Sequence, residues 1–447
     1  MSVRLNFHLR EKGDTPSSKS KENIRDVYLV DPYRNLDFGI GTVIRQLNHL
    51  GLNPSETAID LLILAFAVHV ADTSTSRKLS FDRWTRQITL NVPVSDVEKW
   101  SESSSHLQKM LNFLTGDHWE FEFTDRPSGL ETLNKSPGRL DLTDFNCVTL
   151  FSGGLDSLIG TIDLLKNGKK PVLVSHYWDG GSSAAQKVLL QRLQEEFGEE
   201  SFGVVRTRIG IRRSDLSVAG SENTQRARSF LFYSMATVVV NALSDVSEVL
   251  IPENGLIALN VPMDPWRLGS LSTRTAHPHF IEYIAELSAF MGLGVEFRNP
   301  YAFKTKGQMV KDCEDKDLLE HLASLSMSCS SPAKVRWTGS SPMHCGYCVP
   351  CLIRRAALLY GLENPDRTEY SVEELSGTSF DSKTARGKDI RSFIFTTNRI
   401  LKSPGLARLL VKKQGPLKAD RLEDYANVYL RGMEEVSAIL VDVKSEH

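Results

Sequence analysis

At 447 residues the chain is too long for one ordinary core, so two or three domains are expected. Its apolar share of 41% and charged share of 24% are normal for a soluble globular protein. A formal net charge of −2 excludes a global basic field for nucleic acid and leaves only a local basic pocket.

The first region, residues 1–146, reads as an α+β domain. Its start, MSVRLNFHLREKG, is polar and alternating, unlike a signal peptide. A basic, Ser-rich stretch, TPSSKSKENIR, follows. No run of about 18 apolar residues suggests a membrane span. The nearest, AIDLLILAFAVHVA (residues 58–71), is short, carries Asp60 and His69, and reads as a buried helix. The cytoplasm is therefore the expected compartment. RQITLNVPV and HWEFEF alternate like strands, with a helical pattern in HLQKMLNFL between them. No catalytic constellation is visible here. Residues 126–146, RPSGLETLNKSPGRLDLTDFN, are rich in turn formers and read as a linker.

The second region, residues 147–364, alternates short apolar β-rich runs with helical patterns. The runs are CVTLF, PVLVSHY, FGVVRTRI, SEVLIP and VEFRNP. Between them lie LIGTIDLLKNG, SAAQKVLLQRLQEEFG, TQRARSFLFYSMATVVVNAL and FIEYIAELSAFMG, several ending in the glycine of a helix C-cap. Continuous apolar strands separated by helices predict an α/β fold, a parallel doubly wound sheet with ligands at the carboxyl ends of its strands. The third region, residues 365–447, is charged and helical in pattern, with amphipathic segments DIRSFIFTTNRILKS and DRLEDYANVYLRGMEEVSAILVDV.

Two motifs carry chemistry. On the first strand of the α/β run stands VTLFSGGLDSLIG, residues 148–160. Gly153 and Gly154 permit positive φ and let backbone N–H groups approach an anion, and the helix that follows points its free N–H groups at it. Ser152 and Ser157 add hydroxyls. The pattern predicts a phosphate or pyrophosphate cradle and fits neither the dinucleotide-binding nor the Walker-type glycine motif. Asp156 would repel a phosphate, so it is expected as a helix N-cap or as a ligand of Mg2+ bound with the phosphates. The bland alternative is a tight strand-to-helix turn.

The second motif is MSCSSPAKVRWTGSSPMHCGYCVPCLIRRAAL. Four of the six cysteines, Cys329, Cys345, Cys348 and Cys351, crowd into it. Two-residue spacers turn neighbouring thiolates onto one metal, and four thiolates close a tetrahedral, structural Zn2+ site; an iron–sulfur cluster is the rival. Cys147 and Cys313 read as buried apolar residues.

The two motifs together resemble the QueC family, the 7-cyano-7-deazaguanine synthases of the PP-loop ATP pyrophosphatase superfamily, over residues 147–362. RSFLFYSMA (residues 228–236) is similar to the family's R-N-x-x-F-L-S-x-A helix, with Ser229 in place of its asparagine. The resemblance implies a PP-loop, adenine-nucleotide-hydrolase-like sheet. It also implies that ATP adenylates a carboxylate such as 7-carboxy-7-deazaguanine, pyrophosphate leaves, and a nitrogen nucleophile displaces AMP. Arg226, Arg228 and Lys306 are then candidate cations for the pyrophosphate, with a solvated helix face as the alternative for each arginine. Glu253 and Asn254, at the end of a strand, belong on the active face. Where the family has its Y-P-D-C-R substrate loop this chain reads RTAHPHFI, making His277 and His279 candidates for substrate or catalysis and putting the substrate in doubt. The flanking regions exceed a plain family member and are similar to long QueC-like proteins of antiphage defence operons. That implies transfer to an amino group of a partner protein docked by the N-terminal region. A queuosine-pathway enzyme using ammonia and a nucleotide-binding scaffold are the alternatives. No membrane or nucleic-acid partner is expected for this chain alone.

Overall fold

The computed structural model describes residues 2–11, 23–33, 35–134, 143–211, 216, 222, 224–263, 274–330 and 343–446. Most of the basic, Ser-rich stretch, part of the expected linker and the segment between the first two cysteines lie outside these residues.

The central region forms a five-stranded sheet from β5 (Cys147–Leu150), β6 (Pro171–His176), β7 (Gly203–Thr207), β8 (Glu248–Leu250) and β9 (Glu296–Arg298). Its order is β7-β6-β5-β8-β9 and every pairing is parallel. All five strands fall within the five apolar runs of the sequence. Every residue of β5 and β6 is buried, because helices cover both faces. The chain winds outward from β5 to β7, returns, and winds the other way through β8 and β9. The strand order therefore reverses between β5 and β8, and a crevice opens there at the carboxyl ends. The glycine turn ends β5, at that point.

The N-terminal region was expected as α+β, but its four strands are all parallel. They are β1 (Ser2–His8), β2 (Ile24–Tyr28), β3 (Gln87–Val94) and β4 (His118–Asp125), in the order β2-β1-β3-β4. The alternating amino terminus thus becomes an inner strand. A helix at Ile40–His49, invisible in the pattern, packs on β7 of the central sheet, where Gln46 bonds the backbone of Arg206.

The apolar helix extends further than residues 58–71, to Glu56–Ser74. By length and composition it could cross a membrane, with mean hydropathy 1.5, yet 89% of that stretch is buried inside the fold. One apolar core runs from the N-terminal sheet through this helix and the helix Arg228–Asn241 into the central sheet. Both helices are apolar all round because both are covered all round.

The carboxyl-terminal region contributes helices at Ala385–Lys402, Leu406–Lys412 and Leu422–Ala438, which share a second core with Leu256, Leu259, Leu352 and Ile353 of the central region. Two short parallel strands, β10 (Ser379–Asp381) and β11 (Lys444–Glu446), tie its two ends together.

Candidate phosphate turn and metal centre

Strand β5 ends at Leu150, and the helix Leu155–Lys166 begins four residues after Phe151. Between them Gly153 takes φ +80°, and a Cβ there would lie 2.9 Å from Cγ of Gln186, so no other residue fits without strain. The N-cap is Gly154, with no side-chain cap. Asp156 therefore does not cap the helix, contrary to one of its two expected roles. The first-turn N–H groups of Asp156 and Ser157 have no protein acceptor among the described residues. That leaves an uncapped helix terminus with free donors, the arrangement that suits an anion. Ser152 is exposed beside them, its hydroxyl 3.2 Å from that of Ser157.

Asp156 points the other way, into the crevice between β5 and β8. One carboxylate oxygen accepts from the side-chain amide of Asn254 at 2.6 Å and its backbone N–H at 3.2 Å. The other lies 3.1 Å from the Lys306 ammonium. Burial works to raise the Asp156 carboxyl, but Lys306 and the Asn254 donors prevail and hold it below the usual carboxylate range. Glu253 is pushed well above its ordinary value by burial and by the Asp156 charge.

Close packing makes the cluster possible. Gly160 lets its helix approach β8 so nearly that a Cβ would stand 2.5 Å from Cβ of Pro252. Asn254 also caps the helix Gly255–Leu259, accepting from Ile257 N–H at 3.1 Å. Asp156, Glu253, Asn254 and Lys306 are thus brought together from three elements.

Arg228 sits on the neighbouring strand end. It donates to the His176 carbonyl at 3.3 Å, while Gln186 donates to the Ser152 carbonyl at 3.1 Å and to that of His176 at 3.4 Å. Gln186, which nothing in the sequence singled out, thereby links the glycine turn to β6. His69 and His176 stand edge to face beside this point, 6.0 Å apart, and burial is the chief cause that lowers both imidazoles, that of His176 to about 3. Among the described residues neither nitrogen of His69 has a hydrogen-bond partner.

Three candidates lie elsewhere. Arg226 packs over Trp84 at 4.5 Å and donates to the Thr115 carbonyl, tying the central region to the N-terminal sheet. His277 is the N-cap of the helix Pro278–Phe290, its Nδ1 accepting from the His279 N–H at 3.2 Å. Its ring lies 5.3 Å from Phe113 and that of His279 4.9 Å, on the N-terminal helix Ser104–Thr115. No hydrogen bond among the described residues joins either histidine to the glycine turn.

The four sulfurs of Cys329, Cys345, Cys348 and Cys351 all lie within 4.8 Å of one another, and none is in a disulfide. Tetrahedral zinc–sulfur bonds of ~2.3 Å place sulfurs about 3.8 Å apart. The spacings here are 3.9 Å for Cys345–Cys351 and 4.0 Å for Cys329–Cys348. The cluster could therefore hold a single metal ion such as zinc. A four-iron cluster sets an iron under each thiolate and needs them further apart. Cys348 caps the helix Val349–Gly361, whose first turn carries Cys351.

The metal centre and the glycine turn are contiguous, which spacing in the sequence does not reveal. Met327 N–H donates to the Gly153 carbonyl at 2.8 Å, and Leu155 N–H donates to the Ser328 hydroxyl at 3.2 Å. The next residue is Cys329. Fully buried Arg354, one turn past Cys351, donates to Ser326 Oγ at 2.8 Å and to the Ala323 carbonyl, holding the same segment from below. A cavity of about 1350 Å³ lies instead between the Val349–Gly361 helix and the carboxyl-terminal region, and no residue of the glycine turn lines it.

The chain matches no protein-family model and no curated protein.

Proposed function

We propose that the chain is an ATP-dependent, adenylating ligase of the QueC kind within the PP-loop superfamily, most like the QatC type of Qat antiphage operons. The observation that carries this reading is a glycine turn with free first-turn N–H groups at the switch point of a parallel sheet, hydrogen-bonded to a four-cysteine centre.

A carboxylate oxygen of a 7-carboxy-7-deazaguanine-like substrate attacks the α-phosphorus of ATP. The bond to the bridging oxygen breaks, and pyrophosphate leaves with that electron pair. The turn binds the departing pyrophosphate, whose charge is met by Lys306, Arg228 and Mg2+. An amine nitrogen then attacks the acyl carbon, AMP leaves, and the nitrogen gives up its proton. The acceptor is an amino group of a partner protein, docked by the N-terminal region. Structural zinc fills the cysteine centre, and the cytoplasm is the compartment.

A scaffold that binds nucleotide without turnover is favoured by one observation: Asp156 is already paired with Lys306 and hydrogen-bonded by Asn254. The full chain, incubated with Mg-ATP, 7-carboxy-7-deazaguanine and the proteins co-expressed from its operon, separates the readings by intact mass. A deazaguanine adduct on a partner amino terminus is the expected result. A nitrile formed from ammonia places the chain in the queuosine pathway, and no product under any condition leaves the scaffold.

A further inference from the structure

The carboxyl-terminal helix Leu422–Ala438 grips the segment that carries Lys306. The Glu435 carboxylate accepts from the Thr305 hydroxyl and, with its other oxygen, from the Gly307 N–H at 3.2 Å. Those residues stand immediately before and after Lys306. One turn earlier Arg431 donates to the Phe303 carbonyl at 2.8 Å. The same helix packs Val428 and Gly432 against Gly255 and Leu256, just beyond Asn254. A single helix therefore braces both partners of the Asp156 carboxylate.

Glu435 is not needed as a helix cap. Thr305 and Gln308 already form a complete capping box for the helix Lys306–Lys311. Nor is a carboxylate the natural filler of an apolar core, because burying it costs free energy unless both oxygens are hydrogen-bonded. Its two bonds hold the Thr305 side chain before Lys306 and the Gly307 backbone after it. A lysine side chain has four rotatable carbons, so its ammonium stays 3.1 Å from Asp156 only if that backbone is held.

We propose that Glu435 is a positioning residue for Lys306, so that the carboxyl-terminal helix is a component of the site. Its catalytic consequence rests on the adenylating reading above; the positioning itself does not.

The test uses the full chain and two readouts: amine-selective acetylation at Lys306, followed by peptide mass spectrometry, and AMP release from Mg-ATP in the presence of 7-carboxy-7-deazaguanine and the proteins co-expressed from its operon. Glu435→Gln keeps the size but turns an amide donor toward one of the two donors. Acetylation of Lys306 is expected to speed up about tenfold, the weight of one hydrogen bond to a charged group, with other lysines unchanged. Turnover falls by a similar factor, with a smaller change in KM for ATP. Glu435→Asp, one methylene short, gives an intermediate effect and serves if the glutamine variant does not fold. An unchanged rate at Lys306 in either folded variant, or an equal rise at every lysine, overturns the proposal. Faster acetylation at Lys306 in a protein whose wild type makes no AMP upholds the positioning and removes the adenylating reading instead.

Discussion

Cys345→Ser is expected to lose the bound metal and most of the folded stability of the segment from Met327 to the Val349–Gly361 helix. Metal analysis of the wild type should give about one zinc per chain, and of the variant almost none. Structural zinc contributes roughly 10 kcal/mol or more where the ligands are otherwise unrestrained, so even a fraction of that is large against ordinary domain stability. The effect will not stay local. Met327 and Ser328 bond the glycine turn directly, and Cys329 follows them. Chelation should therefore weaken nucleotide binding, measured alongside the thermal transition. A variant with full nucleotide affinity and no metal would show that the two sites are independent.

The second large effect is expected at the junction of the two parallel sheets. Arg77 and Arg86 converge on Asp117 at 2.7 and 2.6 Å, and Arg86 also reaches Asp72 at 2.6 Å. Arg86, Asp72 and Asp117 are all at most 1% exposed. Asp117→Ala leaves buried Arg77 without a carboxylate and Arg86 with Asp72 alone, and is expected to cost roughly 3–5 kcal/mol, read as a lowered Tm. Burial works to raise the Asp117 carboxyl, but Arg86 and Arg77 overcome this and hold it below its ordinary value. A depressed folded pKa means that its stabilisation is complete above the unfolded carboxyl value and is lost as pH falls through the folded one. The deficit of the variant should therefore be full at neutral pH and shrink in strong acid. The same network reaches the site, since Asp72 accepts from the Ala227 N–H, next to Arg228. A Tm unchanged within a degree or so would contradict a role for this network in joining the sheets.

Much of the fold was legible because its signals are local. Apolar runs broken by helical patterns marked all five central strands and the helices between them, and each survives as an element of the sheet. The glycine turn and the four cysteines were legible for the same reason, as short spacings with a fixed physical meaning. What could not be read depends on partners far apart in the chain. Gln186, Ser328, Arg354 and Glu435 carry no pattern of their own; each matters through hydrogen bonds to residues brought close by packing. Arg226 is a candidate pyrophosphate cation in the sequence because the chemistry implied by the family resemblance needs cations for the departing charge. Tertiary packing instead turns it onto Trp84, as burial lowers its guanidinium to about 10. His277 and His279 follow the same lesson. A histidine before a proline is a good cap, and at that position the cap is what the structure shows. The parallel N-terminal sheet was hidden because strand direction leaves no mark on alternation.

The claim that the glycine turn binds the phosphates of ATP is tested most directly by titrating Mg-ATP into the wild type and into Gly153→Ala. The added methyl meets Gln186 and forces a left-handed φ on alanine, which should weaken binding about tenfold or more while the metal content stays the same. Saturable binding by the wild type and its loss in the variant is the predicted result. No binding to the wild type, or equal binding to both proteins, would contradict the account.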